Sequence, residues 1–420
     1  MADYYPHLVK TNFTSSDGID LGEKLITKDY LLSSYPYLLD SISLSSLFFS
    51  GYLSYAADVT ILTQNRVFGK VKEIASSKWR NSPENFNLLI KSDGSLWSWG
   101  NNTYGQLGTG NKTSYQIFVQ VFYDDFDNYN WKQVYCGTYS TVAIKTDGSL
   151  WATGYNNEYQ LGLGDRTLRT QLTQIGGDYD WKYACIGDVH GLAIKEDGSL
   201  WSWGTNRNGL LGRNITLSST FSSTPVRIGT DNDWVYISTN PETACAIKSD
   251  GSLYIWGKYS GWPSIGSNYR TPTKIFGADI TSPSTLPSGT TYDDWKWKAM
   301  SFGYSHAAAI RSDGTLWSVG DNTYSALGLN SSSPSYSNTF RQIVTKGIWK
   351  QVDCGNFWSA AIRSDGTLWN WGNNQDGQLS RGFVSTSSNP SVGIGKIDGY
   401  WTKVSCQIWS LNVIKTYDYI

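Results

Sequence analysis

Between residues 87 and 100 the chain sets two apolar runs, "NLLIKS" and "SLWSWG", on either side of Asp93-Gly94. Asp-Gly between apolar runs is a strong hairpin signal, because both central residues of a type I′ turn need positive φ. Period-two alternation puts Leu96 and Ser98 on one face of the second strand and Trp97 and Trp99 on the other. Neither face is strongly polar. That predicts a strand covered on both sides rather than one half-open to water.

The same dozen residues return as "KTDGSLWATGYN" from Lys145, "KEDGSLWSWGTN" from Lys195, "KSDGSLYIWGKY" from Lys248, "RSDGTLWSVGDN" from Arg311 and "RSDGTLWNWGNN" from Arg363. A seventh copy stops at "IKTYDYI" from Ile414, before its tryptophans. The period is about 50 residues, the range of solenoids and propellers. "WKQVYCG" (Trp131–Gly137) reads as a strand before the hairpin and "QIFVQVF" (Gln116–Phe122) as one after it. Four antiparallel strands per repeat make one propeller blade.

The expected fold is therefore all-β: a seven-bladed β-propeller over residues 46–420, with residues 1–45 as an N-terminal arm. The truncated copy finds its missing half at the other end. "WTKVSCQIWSLNVIK" (Trp401–Lys415) supplies two strands, and "SLFFSGYLSYAADVTILTQNRVFG" (Ser46–Gly69) the other two. Pairing the two ends leaves no long sheet edge exposed. A short helix is expected within Thr27–Leu39. The tryptophan set (Trp97, Trp99, Trp151, Trp201, Trp203, Tyr254, Trp256, Trp317, Trp369 and Trp371) is expected to pack blade on blade.

Composition narrows the function classes. Charged residues are 16 % and the formal net charge is −1, with 20 Trp and 28 Tyr. A nucleic-acid binder normally carries a basic excess, so none is expected as partner. No apolar window approaches the roughly 18 residues of a membrane span. The start, "MADYYPHLVKTNF", has no secretory pattern, so neither membrane insertion nor secretion is expected. Five cysteines without CxxC spacing predict small buried side chains rather than disulfides or zinc. Catalytic fingerprints such as GxSxG, HExxH or a phosphate loop do not occur, so the chain is expected to be non-enzymatic, without cofactor or metal.

"VYCGTYSTVAIKTDGSLWATGYNNEYQLGLG" (Val134–Gly164) resembles the repeat of the regulator-of-chromosome-condensation family almost throughout. The family's histidine slot holds His190 and His306 here, and other residues in the remaining copies. The resemblance implies a propeller that binds proteins, and a hydrogen-bonding role for these histidines within their blades. The arm is loosely similar to arms on bacteriophage-encoded propellers of this family. On that likeness the leading expectation is a virion component (fibre, decoration or host-recognition module). It would contact other virion proteins through residues 1–45, and a host receptor or glycan through its loops. The alternatives are a regulator in the cytoplasm that binds a small GTPase or another protein, and a carbohydrate-binding adhesin.

Two loop sets stand out as candidate sites. The longest gap between motifs, Lys258 to Asp294, offers Trp262, Tyr269 and Arg270 as partner anchors, since aromatic and arginine side chains dominate interface hot spots. Acidic residues recur before the first strand of each repeat: Asp124, Asp125 and Asp127; Asp178 and Asp180; Asp231 and Asp233; Asp293 and Asp294. Repeat geometry places them on one face of the disc. There they serve as polar turns, as an acidic ring for a basic partner, or as oxygen ligands for Ca²⁺.

Overall fold

The structure is a computed structural model. It describes residues 45–51, 59–67, 70–77, 85–122, 130–214, 220–258, 269–275, 295–330, 334–343, 347–380, 391–407 and 410–416. The expected arm helix, Trp262, and the acidic residues Asp124, Asp125, Asp127, Asp293 and Asp294 lie outside these residues.

Six four-stranded antiparallel sheets are each built from consecutive strands. Blade 1 comprises Val71–Ser76, Phe86–Lys91, Leu96–Gly100 and Tyr115–Gln120. Blade 2 comprises Trp131–Cys136, Ser140–Lys145, Leu150–Gly154 and Arg169–Gln174; blade 3 Trp181–Ile186, His190–Lys195, Leu200–Thr205 and Phe221–Ile228. Blade 4 comprises Trp234–Thr239, Thr243–Lys248, Leu253–Gly257 and Tyr269–Ile275; blade 5 Trp297–Phe302, His306–Arg311, Leu316–Asp321 and Tyr336–Gln342. Blade 6 comprises Trp349–Cys354, Trp358–Arg363, Leu368–Asn373 and Ser391–Ile397.

Among the described residues, only these six blades are built of consecutive strands. The seventh expected from the repeat count is not a blade of consecutive strands. Its place is taken by a sheet shared between the chain ends, in the order Val59–Val67, Ser45–Gly51, Ser410–Thr416, Trp401–Cys406. Ser45–Gly51 pairs antiparallel with Ser410–Thr416, from Ser45 opposite Thr416 to Gly51 opposite Ser410. The Trp401–Cys406 strand packs on blade 6 on one side and on blade 1 on the other. Gln407 Nε2 donates to Phe86 O (3.2 Å), and Lys403 Nζ meets Glu73 Oε2 at 2.9 Å, tying this sheet to blade 1.

The first strand of each blade is the innermost, and successive first strands pack on one another around the disc. Core clusters form between blades. Val142, Ile144, Leu150 and Leu161 of blade 2 meet Trp181, Ala184, Ile186, Ala193 and Trp203 of blade 3. The leucine face of one LWSW strand therefore covers the tryptophan face of the next. This is the physical content of a sequence with no polar face.

The Asp-Gly hairpins differ from expectation. The loop has three residues, Ser92-Asp93-Gly94: Lys91 N donates to Ser95 O (3.0 Å) and Gly94 N to Lys91 O (2.9 Å). Only the glycine takes positive φ (83°), as in a bulged three-residue hairpin. The aspartate is committed otherwise. Asp93 Oδ1 accepts from Ser95 N (2.9 Å) and Ser95 Oγ (2.7 Å), and Ser95 Oγ in turn accepts from Trp97 Nε1 (2.9 Å). Asp147–Ser149–Trp151, Asp197–Ser199–Trp201, Asp313–Thr315–Trp317 and Asp365–Thr367–Trp369 repeat this relay. The motif "DG[ST]LW" is one hydrogen-bonded unit, which explains why the hydroxyl residue recurs with it.

Candidate functional site

The disc has two faces. The Asp-Gly turns and the starts of the inner strands share one, the turn face. The loops after "CG" and after "LWSWG" share the other, the loop face.

On the turn face each blade is joined to the next. Trp131 N donates to Gly94 O of the preceding blade (3.1 Å), and Trp181, Trp234, Trp297, Trp349 and Trp401 do the same to Gly148, Gly198, Gly251, Gly314 and Gly366. The basic residue that opens every repeat sits beside this joint. Lys195 Nζ lies 4.8 Å from the ring centroids of both Trp181 and Trp201, and Arg363 lies 4.8 and 4.1 Å from those of Trp349 and Trp369. Lys145, Lys248 and Arg311 are likewise placed over two aromatic rings; Lys91 lies over Trp97 and Lys415 over Trp401. A cation over an indole contributes on the order of 1 kcal/mol, more where water is excluded. The sequence reading missed this role. Its signal was present, as an invariant positive charge five residues before each leucine of "LW" or "LY".

The acidic residues before the inner strands fill the same boxes. Lys195 Nζ bridges Asp178 Oδ2 (2.8 Å) and Asp180 Oδ1 (3.0 Å), and Lys248 Nζ bridges Asp231 Oδ2 (2.7 Å) and Asp233 Oδ1 (3.1 Å). Burial acts to lower the pKa of both lysines, but the hydrogen bonds they donate to their aspartates outweigh it and hold each above the ordinary value. In blade 1 burial dominates over the attraction of Asp93 and lowers Lys91 to about 8. Asp178, Asp180, Asp231 and Asp233 do share one face, as the repeat implies, but each pair is engaged by its own blade's lysine. No three His, Cys, Asp or Glu residues among the described ones group as a metal site would require.

The tryptophan set splits into two positions. Trp203, Trp256 and Trp371 are fully buried at blade boundaries. Each reaches back to the preceding blade's loop, Nε1 donating to Gln160 O (2.7 Å), Leu210 O (2.9 Å) and Ala326 O (2.8 Å) respectively. Thr153 stands in this slot in blade 2, its hydroxyl donating to Gly105 O (2.9 Å). Trp99 is half-buried against Phe118, with ring centroids 4.0 Å apart. The other position belongs to the cation boxes, where Trp97, Trp201, Tyr254, Trp317 and Trp369 are half-buried and Trp151 is buried.

Tyr269 and Arg270 are not loop residues. They open the outer strand of blade 4, where Tyr269 pairs with Gly257 and Arg270 O accepts from Asn214 N (3.0 Å) of the preceding blade.

On the loop face the "NNxYGQLG" segments are organised by a buried asparagine. Asn156 Oδ1 accepts from Leu161 N (2.9 Å), while its Nδ2 donates to Asp165 O (2.8 Å) and Thr167 O (3.2 Å). Asn102, Asn206, Asn322 and Asn374 accept from Leu107, Leu211, Leu327 and Leu379 in the same way. Asn156→Ala leaves a buried N–H and two carbonyls unpaired. We expect a loss of about 2 kcal/mol, read from urea unfolding, with faster proteolysis between residues 156 and 167.

The two histidines join blades rather than acting within one. His190 Nε2 lies 2.8 Å from Thr239 Oγ1 of blade 4, and His306 Nε2 lies 2.7 Å from Ser359 Oγ of blade 6. Thr239 Oγ1 donates to backbone carbonyls (Thr243 O, 2.9 Å) and Ser359 Oγ to Cys354 Sγ (3.4 Å). Each hydroxyl therefore accepts from Nε2–H. Each Nδ1 is buried with no hydrogen-bond partner among the described residues. The glycine three residues before each explains the fit: a Cβ at Gly187 would come within 2.8 Å of His190 Cε1, and one at Gly303 within 2.5 Å of His306 Cε1.

The loop face also presents aromatic clusters at two blade boundaries. Tyr104 of blade 1 stacks edge-on with Tyr139 and Tyr155 of blade 2, both at 5.0 Å. Phe357 of blade 6 meets Tyr304 (5.6 Å) and Tyr324 (4.9 Å) of blade 5. All six rings are half-exposed. The sequence reading passed over them because each cluster is assembled from loops of different repeats.

Family models for the "Regulator of chromosome condensation (RCC1) repeat" match residues 93–144, 147–194 and 197–246, and residues 131–160, 297–325 and 349–378, together about half of the chain. The chain is 27 % identical over 345 residues to the "X-linked retinitis pigmentosa GTPase regulator homolog" of Caenorhabditis elegans, covering 74 % of this chain and 24 % of that protein. It is 26 % identical over 287 residues to "Ultraviolet-B receptor UVR8" of Arabidopsis thaliana, covering 68 % and 51 %. It thus spans between a quarter and half of the length of these relatives. Among solved structures it is similar in fold to human WBSCR16 (TM-score 0.73, 18 % identity, 89 % of this chain and 99 % of that one). It is also similar to Prp20p of Saccharomyces cerevisiae (TM-score 0.70, 16 % identity, 90 % and 93 %), whose crystal structure was described together with its binding to Gsp1p and histones. None of these relatives is a virion protein, and they lend that expectation no support. Repeat, blade architecture and similarities agree: the chain belongs to the regulator of chromosome condensation (RCC1) repeat family of β-propellers.

Proposed function

We propose that this protein is a non-enzymatic regulator that binds a protein partner, a small GTPase in the first instance, through the loop face of a ring closed by the sheet shared between its ends. The observation that carries this reading is the pair of half-exposed aromatic clusters, Tyr104/Tyr139/Tyr155 and Tyr304/Tyr324/Phe357. Tyr104, Tyr155 and Tyr324 are held on loops whose backbones are fixed by buried asparagines. A preorganised aromatic surface loses little entropy on binding and is the composition of an interface hot spot. The names of two similar proteins fit this reading, one a GTPase regulator homolog and the other described with protein partners. No helix among the described residues is long and apolar enough to cross a membrane.

The test is capture of nucleotide-free small GTPases from a panel, followed by release of labelled GDP. Tyr104→Ala/Tyr155→Ala should weaken binding at least tenfold, since each buried aromatic anchor contributes about 1–2 kcal/mol or more at an interface. Absence of binding to every GTPase, or binding indifferent to both clusters, would reject the proposal.

A further inference from the structure

The inner strand of every blade carries the same irregularity. The register slips between its first and third residues, between Val71 and Glu73, Trp131 and Gln133, Trp181 and Tyr183, and so on round the disc to Trp401 and Lys403. The residue at the second position is thus an inserted one, freed from the ladder as bulged residues are. In five of the seven sheets it is a lysine: Lys72, Lys132, Lys182, Lys298 and Lys350. Four are exposed and Lys182 is half-exposed. Val235 and Thr402 occupy the slot in the other two.

Because inner strands pack on one another around the axis, and their starts lie at the Asp-Gly turns, these lysines ring the axis at its opening on the turn face. Among the described residues, five carboxylates of that face are held by other lysines. Asp178, Asp180, Asp231 and Asp233 hold the box lysines, and Glu73 holds Lys403. Lys132 has one long ion pair, 3.7 Å to exposed Glu196. Lys72, Lys182, Lys298 and Lys350 have no ion pair among the described residues. Four lysines of the ring thus have no carboxylate in direct contact among the described residues.

We infer that the opening of the disc axis on the turn face docks an extended acidic protein segment, a run of Asp and Glu whose carboxylates meet the five lysines. Lysines at equivalent positions around one axis suit an extended chain that carries a charge at each residue. Flexible point charges, unlike guanidinium forks, do not demand one planar ligand geometry. The site lies on the opposite side from the aromatic clusters and does not depend on them.

The probe is a fluorescein-labelled deca-glutamate peptide, titrated with the full chain by anisotropy at low and physiological salt. Binding should weaken steeply with salt, as screening of exposed charges requires. Replacing Lys72, Lys132, Lys298 and Lys350 by Gln should cost about tenfold or more in affinity, at a few tenths of a kcal/mol or more per exposed pair. The same four changed to Arg should stay within about threefold of wild type, since charge is kept. A control set at exposed positions elsewhere, Lys112, Arg166, Lys258 and Lys396 to Gln, should leave affinity unchanged, as should Tyr104→Ala/Tyr155→Ala. Three results would overturn the inference: no binding at low salt, equal loss from the control set, or tighter binding to a duplex DNA oligonucleotide that the ring lysines also govern.

Discussion

Replacing Trp203 by Ala is expected to remove about 3–5 kcal/mol of stability, the cost of emptying a fully buried indole site. Trp203 has 0 % exposure and lies in the cluster that spans blades 2 and 3. Its truncation also strands Gln160 O, the acceptor of its Nε1–H at 2.7 Å. The neighbouring backbone cannot close the gap easily. Gly162 has positive φ (70°), and a Cβ added there would meet Trp203 Cδ1 at 2.9 Å, so this loop is already shaped around the ring. Trp201→Ala, in the half-exposed cation box, should cost about half as much, because part of that ring is in water already. Urea unfolding of the two variants decides the matter. Equal losses would mean that the boundary tryptophan is no more important to the disc than the box tryptophan.

The second large effect is on acid stability. Burial pushes the pKa of His190 down to about 3 and that of His306 to about 4. In the unfolded chain both titrate near their ordinary value of about 6.5. The folded pKa is depressed, so their contribution to stability is fully present above about pH 6.5 and is lost as pH falls toward 4 and 3. At pH 4.5 each histidine should cost roughly 2–3 kcal/mol relative to pH 7. The geometry supplies the reason. Nε2 is committed to Thr239 or Ser359, so a second proton must go on Nδ1, which has no hydrogen-bond partner among the described residues. The turn aspartates Asp197 and Asp365, held low by hydrogen bonds from Ser199 and Thr367, act only below about pH 4 and lie at the surface. His190→Gln/His306→Gln should therefore flatten the stability profile between pH 6.5 and 4.5, even if it lowers stability at pH 7. An unchanged slope in that window would refute the assignment.

Both effects bear on how the repeat works. The indole and the imidazole each cross a blade boundary, and each lands on a group some 50 residues away in the chain. What was readable from sequence stops at that boundary. Asp93-Gly94 announced a hairpin, and "LWSW" announced a strand with two covered faces. The truncated copy at Ile414 announced a partner at the other terminus, and Ser45–Gly51 does pair with Ser410–Thr416. The turn type was misread because the alternation around Asp-Gly does not reveal that the aspartate is bound to the following hydroxyl. Asp178, Asp180, Asp231 and Asp233 do share one face, but none of the readings offered for them (polar turn, acidic ring or calcium ligand) named their partner. Their partner, the repeat lysine, is 15 or 17 residues away and meets them only across the pairing of inner and second strands.

The chain by itself determined its class, its period, most of its strands and the family to which it belongs. These follow from local chemistry: alternation, turn residues and a motif repeated in place. The tertiary structure alone decided the cation boxes, the histidine bridges, the aromatic clusters of the loop face and the lysine ring of the turn face. Each is made of residues far apart in the chain, from different strands of one blade in the boxes and from different blades in the others. No window of sequence contains two members of such a set side by side, and only the closing of blades around an axis brings them together.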